Sequence, residues 1–131
     1  MKYYHCRELK NITFESAIEK TIQALKVEGF GVLTEIDLKS VLKKKLDVDF
    51  YNYRILGACN PGFAYKALMT EDKIGTMLPC NLIVQERELG TVEVSAVNPL
   101  ASMQAIGNKE LQTISEEIDQ KLQNVIQNLL T

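Results

Sequence analysis

The sequence predicts an α+β domain in which an antiparallel sheet of about five strands packs on two long helices. Two patterns predict it. Segments 14–28 and 109–130 carry apolar residues at three- and four-residue spacing, so each presents a stripe that needs a partner surface. Around them lie short alternating segments, several joined by links too brief for a parallel crossover. The order is strand, helix, four strands, helix, with short helices inserted, and the 131 residues form one domain, 1–131.

Residues 2–8 read as a weakly patterned opening strand. Thr13 is placed to cap the first long helix, whose inner face holds Phe14, Ala17, Ile18, Thr21, Ile22 and Leu25. Gly29 is suited to end it in a left-handed conformation. Residues 30–36 form the second strand. Asp37 then caps a short helix with Leu38, Val41, Leu42 and Leu46 on one stripe and Lys39, Lys43, Lys44 and Lys45 mostly off it, a basic face read as solvated surface. Residues 51–59 form the third strand, which Asn60-Pro61-Gly62 breaks.

Asn60 is expected to cap a short helix with Pro61 in its first turn and Ala64, Ala67 and Leu68 inward. Residues 71–78 read as a polar connection. Pro79 opens the fourth strand, 80–86, with Cys80, Leu82 and Val84 on one face and Asn81, Ile83 and Gln85 on the other. A short hairpin leads to the fifth strand, 91–97, with Val92, Val94 and Ala96 inward. Residues 100–107 read as one irregular helical turn. The last helix is capped by Asn108 and keeps its apolar period through Leu111, Ile114, Ile118, Leu122, Val125, Ile126, Leu129 and Leu130.

Composition narrows the function. Fifteen basic against seventeen acidic residues give a net charge of −2. That balance argues against a nucleic-acid partner, and no apolar run approaches the roughly 20 residues that span a membrane. The polar N-terminus does not resemble an export signal, so a cytoplasmic protein with reduced thiols is expected. Tyr3, Tyr4, Tyr51, Tyr53 and Tyr65 raise base stacking on a sheet, which the missing positive charge disfavours. Tyr53 and Arg54 are both expected on the sheet's open face.

Two tripeptides carry the chemistry: Cys59-Asn60-Pro61 closing the third strand and Pro79-Cys80-Asn81 opening the fourth. An antiparallel return would set both at one end of the sheet. The two cysteines read either as small packed hydrophobes or as a shared thiol or ligand site. Two thiolates fall short of the usual four ligands of structural zinc, and His5 would have to be recruited, so no metal is expected. Nothing calls for a cofactor, and no catalytic triad can be built around His5.

The same residues resemble a known family. Leu56-Gly57-Ala58-Cys59-Asn60-Pro61, with Ala64, Ala67 and Leu68 after it, and Leu78-Pro79-Cys80-Asn81-Leu82-Ile83-Val84 look like the two signature blocks of domain-of-unknown-function family 302. Gly29-Phe30-Gly31-Val32, Glu35-Ile36 and the pair Asn98-Pro99 are similar to its weaker blocks. Asn98 departs from a pattern that favours Asp before the proline. The resemblance implies a fold like the TATA-binding-protein class and implies dimers. It implies no catalytic activity, and fold likeness is no warrant for function.

The leading expectation is therefore a small-ligand binding or sensing module, a homodimer, with its site at the rim of Cys59, Asn60, Pro61, Pro79, Cys80 and Asn81. A thiol-dependent redox protein or enzyme using Cys59 or Cys80 competes with it. A purely structural dimerisation domain is the third reading.

Overall fold

The computed structural model describes residues 2–129. The chain runs β1 (Tyr4–Lys10), α1 (Phe14–Val27), β2 (Gly31–Asp37), α2 (Leu38–Leu46), β3 (Asn52–Cys59), α3 (Pro61–Thr70), a 3-10 segment (Asp72–Met77), β4 (Cys80–Glu88), β5 (Thr91–Val97), α4 (Pro99–Met103), a second 3-10 segment (Gln104–Ile106) and α5 (Lys109–Gln127). The five strands hydrogen-bond in the order β1-β5-β4-β3-β2, every pair antiparallel.

The α+β class and the element order match the sequence reading. Two segments are more regular than it expects. The connection 71–78 winds into a 3-10 turn that buries Ile74, and the irregular stretch after the fifth strand contains α4. Leu130, expected on the last helix, lies outside the described residues.

The two long helices begin where the sequence signals them. The Ser16 N–H donates to Thr13 Oγ1 at 3.1 Å, and the Leu111 N–H to Asn108 Oδ1 at 3.1 Å. Gly29, at φ +86°, ends the first helix turn without a Cβ penalty. Asn98 does two things. Its Oδ1 accepts from the Leu100 N–H at 3.0 Å, and its Nδ2 donates to the Lys2 carbonyl at 3.0 Å. An aspartate could make the first bond but has no N–H for the second, which ties the N-terminal strand to the sheet's end.

The apolar stripes of α1 and α5 cover one face of the sheet. Phe14, Ala17, Ile18 and Leu25 of α1 and Ile118, Leu122 and Val125 of α5 meet Leu9, Leu56, Leu82, Val84, Val92 and Val94 of the strands. Each large side chain so buried contributes about 1.5–3 kcal/mol, so this seam carries the fold. A smaller cluster of Ala67, Ile74, Met103 and Leu111 fastens α3 and α4 to the start of α5. Two of the four lysines of α2 are engaged locally: Lys39 Nζ donates to the Phe50 carbonyl, and Lys43 pairs with Asp47 and Asp49.

Asp37 caps α2 by accepting from the Ser40 N–H at 3.1 Å and the Ser40 hydroxyl at 2.9 Å. The backbone bond chiefly holds its carboxyl below the usual aspartate range, with the Ser40 hydroxyl and Arg54 helping. A depressed carboxyl stabilises above its unfolded-state value, and that stabilisation is lost as pH falls through the folded one. The Ser40 amide should therefore exchange faster as pH falls through the acid range than its pH dependence in an Asp37→Ala variant predicts. Identical profiles in the two proteins would show that the cap contributes nothing.

Candidate functional site: a tyrosine-walled groove on the open sheet face

The two tripeptides do meet. Ala58 pairs with Cys80 and Gly57 with Asn81, so both motifs sit side by side at one end of the sheet. The pleat then divides them, because neighbouring strand residues point to opposite faces. Ala58 and Cys80 are buried on the helix-covered face, whereas Asn81 is exposed on the other. Cys59, Asn60, Pro79 and Cys80 border an apolar cavity of about 30 Å³ that Phe63 and Met103 also line. That volume holds about one water and no ligand. Pro61 sits in the first turn of α3 and does not border it.

Asn60 corrects an expectation. Its side chain does not cap α3; its Nδ2 donates to the Glu28 carbonyl at 3.2 Å. The cause is local. The turn after α1 passes so close that a Cβ on Gly29 would lie 3.1 Å from Asn60 Nδ2. The carboxamide stitches that turn to the β3–α3 junction, and Pro61 removes one N–H that would need a cap.

Of the three cysteines, Cys6 is exposed, Cys59 half-buried and Cys80 buried. Burial, with a smaller contribution from nearby Cys59, pushes the Cys80 thiol up to about 11. Thiolate, not thiol, is the nucleophile, so Cys80 is suited to packing. Iodoacetamide at neutral pH should label Cys6 in the native protein and Cys80 only after unfolding, read by mass spectrometry. Rapid native labelling of Cys80 would overturn this and restore a thiol chemistry for the site. Among the described residues, no cluster of three or more His, Cys, Asp or Glu side chains is arranged to hold a metal ion.

The larger concavity lies on the face that α1 and α5 leave open. Its floor is the outward row of β4 and β5: Asn81, Ile83, Gln85, Arg87, Glu93, Ser95 and Val97. Tyr51 and Tyr53 form one wall, Tyr3 and Tyr4 the other, and the space between is about 520 Å³. The walls are ordered by aromatic packing. Phe50 stacks on Tyr51 with ring centres 4.2 Å apart, and Tyr3 meets Tyr4 edge-on at 4.9 Å. The Arg87 guanidinium lies 5.3 Å over the Tyr51 ring.

Gln85 Nε2 donates to the Tyr51 hydroxyl at 3.1 Å. Gln85 is only 8% exposed and Ser95 4%, although no helix covers this face. Burial raises the Tyr53 hydroxyl above its ordinary value, with Tyr51 adding to the effect.

Tyr53 stands on this face as expected, but Arg54 does not. Arg54 turns to the helix side, where it lies over the Phe14 ring at 5.6 Å and pairs with Glu35 at 2.5 Å and Glu15 at 3.4 Å. The reason is again the two-residue period of a strand. His5 also faces the helices: its Nε2 meets Asp119 Oδ1 at 2.6 Å, while Gln123 Nε2 donates to Asp119 Oδ2 at 2.7 Å. The pair fastens α5 to the edge strand β1.

The groove itself escapes a reading centred on the cysteines. Its signal in the sequence is the alternation Asn81, Ile83, Gln85, Arg87 beside Tyr51 and Tyr53. That alternation marks an outer face, and only the tertiary walls make the face concave.

A two-layer α+β domain, with helices on one side of an antiparallel sheet and an aromatic-walled groove on the other, is the class these observations define. The chain belongs to the family described as Domain of unknown function DUF302, whose model matches residues 5–129. It is similar to the crystal structure of an uncharacterized conserved DUF302 protein from Bacillus stearothermophilus, with 27% sequence identity and a TM-score of 0.90. That match covers 99% of this chain and 100% of the other. A search of curated proteins finds no match. Among the described residues, no helix is long and apolar enough to cross a membrane.

Proposed function

We propose that the protein is a small-ligand binding module whose site is the tyrosine-walled groove, with Asn81 of the Pro-Cys-Asn motif at one end. The observation that carries this reading is the burial of Gln85 and Ser95 on a sheet face without a helical cover. Gln85 is held there by the Tyr51 hydroxyl, so a polar side chain is presented in a fixed orientation among aromatic rings, the mix of a few placed polar groups and apolar walls that small-molecule sites use. The volume of about 520 Å³ also falls within the range of small-molecule sites, whereas the cavity of about 30 Å³ beside Cys80 does not.

On this reading the remaining rim residues are structural. Asn60 stitches two turns together, Cys80 packs, and Pro79 packs close against Gly57. This reading requires the homodimer expected from the family resemblance to use surfaces other than the groove.

The test is a fragment screen followed by amide chemical shifts of the labelled protein. Binding should shift outward-facing residues of β4 and β5 saturably. Tyr53→Leu, which removes a stacking surface, should weaken the best fragment by about tenfold. Fragments that map to the Cys59–Cys80 cavity, or none that reach the groove, would sink the proposal. Groove shifts that follow protein concentration instead of fragment would assign the face to a second copy of the chain.

A further inference from the structure

Exposed apolar side chains gather on α3, and from their arrangement we infer that this helix is the surface through which two copies of the chain associate. The helix is apolar on both sides. Inward, Phe63 packs against the main core and Ala67 is buried in the cluster of Ile74 and Leu111. Outward runs a stripe of Pro61, Gly62, Tyr65, Leu68 and Met69 at three- and four-residue spacing, every member exposed, with Tyr65 66% and Met69 71% accessible. Leu68 lies 4.0 Å from where a Cβ on Gly75 would stand, so the stripe reaches the 3-10 segment in which Met77 is also exposed.

Charge is missing where a solvated helix carries it. Lys66 is the one charged residue among the 10 of α3, and its Nζ lies 5.4 Å from the Phe63 ring centre, off the stripe. By contrast α2 has four lysines in 9 residues. A helix apolar on both sides belongs inside a structure. Among the described residues nothing covers the outer side of α3, and tyrosine and methionine without charges are the composition of an interface core.

The shape of the stripe selects a second copy as the cover. One end is small: a Cβ on Gly62 would meet only Asn60 Oδ1, at 3.9 Å. The other end, Leu68 and Met69, is bulky. Gly62 and Met69 stand about two turns apart with Tyr65 between them. An antiparallel crossing of two α3 helices, on a twofold axis near Tyr65, lays Met69 of each copy over Gly62 of the other. It also sets the helix dipoles in opposition. One short helix a side is small for a specific interface, so the dimer should dissociate reversibly. None of these residues lines the groove, and the inference stands apart from the groove's role.

Sedimentation velocity on the whole chain, from about 1 to about 500 μM, should show dimers that dissociate on dilution. Tyr65→Lys, which sets a charge at the centre, should weaken association at least about thirtyfold. Gly62→Leu and Met69→Ala should each weaken it about tenfold, and the double variant should recover most of that loss, because knob and hollow have changed places. The replaced side chains are exposed, so circular dichroism should show every variant folded; Met69→Ala carries the test should Tyr65→Lys fold poorly. Tyr53→Leu, in the groove, should leave the dimer intact.

Monomers at every concentration would overturn the second copy as the cover, whatever else binds this face. Dimers of wild-type strength in both Tyr65→Lys and Met69→Ala would overturn the surface. A double variant no stronger than Gly62→Leu would overturn the antiparallel crossing. A dimer kept in Tyr65→Lys and lost in Tyr53→Leu would lie on the groove, overturning this inference and the groove reading together.

Discussion

Replacing Gly57 by alanine should destabilise the protein by about 2–3 kcal/mol, within the range for forcing an extra methyl into a packed site. A Cβ built there would overlap Thr34 Oγ1 and lie 2.7 Å from Pro79 Cγ. Neither is the free end of a long side chain. Exposed Thr34 can turn its hydroxyl away, but Pro79 is a ring locked into the backbone, so relief on that side requires the start of β4 to move away from β3. Urea unfolding followed by circular dichroism would read the loss as a lower midpoint with an unchanged slope.

Gly31→Ala is the control, since nothing lies within 4 Å of a Cβ at that position. Its change should stay within about 0.5 kcal/mol. If Gly57→Ala unfolds at the wild-type midpoint, the close approach of the three strands is not the reason a glycine stands there. The substitution should also displace Asn81, the cross-strand partner of Gly57, and so distort the groove's end.

The second large effect is expected at the helix-covered edge of the sheet. His5→Phe should cost about 2–3 kcal/mol by leaving Asp119 buried with one partner fewer. The Asp119 side chain is 7% exposed and the His5 side chain 25%, so the carboxylate cannot recover its lost bond from water as easily as the ring could. Gln123 keeps one carboxylate oxygen occupied, which holds the cost below that of an isolated buried charge.

The double variant His5→Phe/Asp119→Leu removes both members and tests the cause. It should be more stable than His5→Phe alone, because no charge is then left buried. A double variant less stable than either single one would show that the sites act through packing instead. Loss should be concentrated where α5 meets β1, and hydrogen exchange along Tyr4–Lys10 should report it.

The element order was legible in the amino-acid sequence because its causes are local. Helix period, strand alternation and the caps at Thr13, Asp37 and Asn108 each act within a few residues. Gly29 and the hairpin before Thr91 likewise announce their turns. The family resemblance rested on residues that lie together in space, since Ala58 and Gly57 pair with Cys80 and Asn81. That much of the candidate site followed from an antiparallel return between two strands.

Where side chains ended up depended on partners far away in the chain. Asn60 has the sequence context of a helix cap, yet Glu28, 32 positions earlier, takes its amide. Arg54 sits beside Tyr53, yet Glu15 and Glu35 hold it on the opposite face. The groove is the clearest case. A row of polar and apolar residues on β4 reads as ordinary solvent-facing sheet until Tyr3 and Tyr4 from the chain's start and Tyr51 and Tyr53 from its middle rise on either side. Local periodicity determined which face each residue takes, a choice made within two or four residues. Concavity and desolvation arise only when strands distant in sequence become neighbours, and for that reason the tertiary structure alone decided where this protein has a groove.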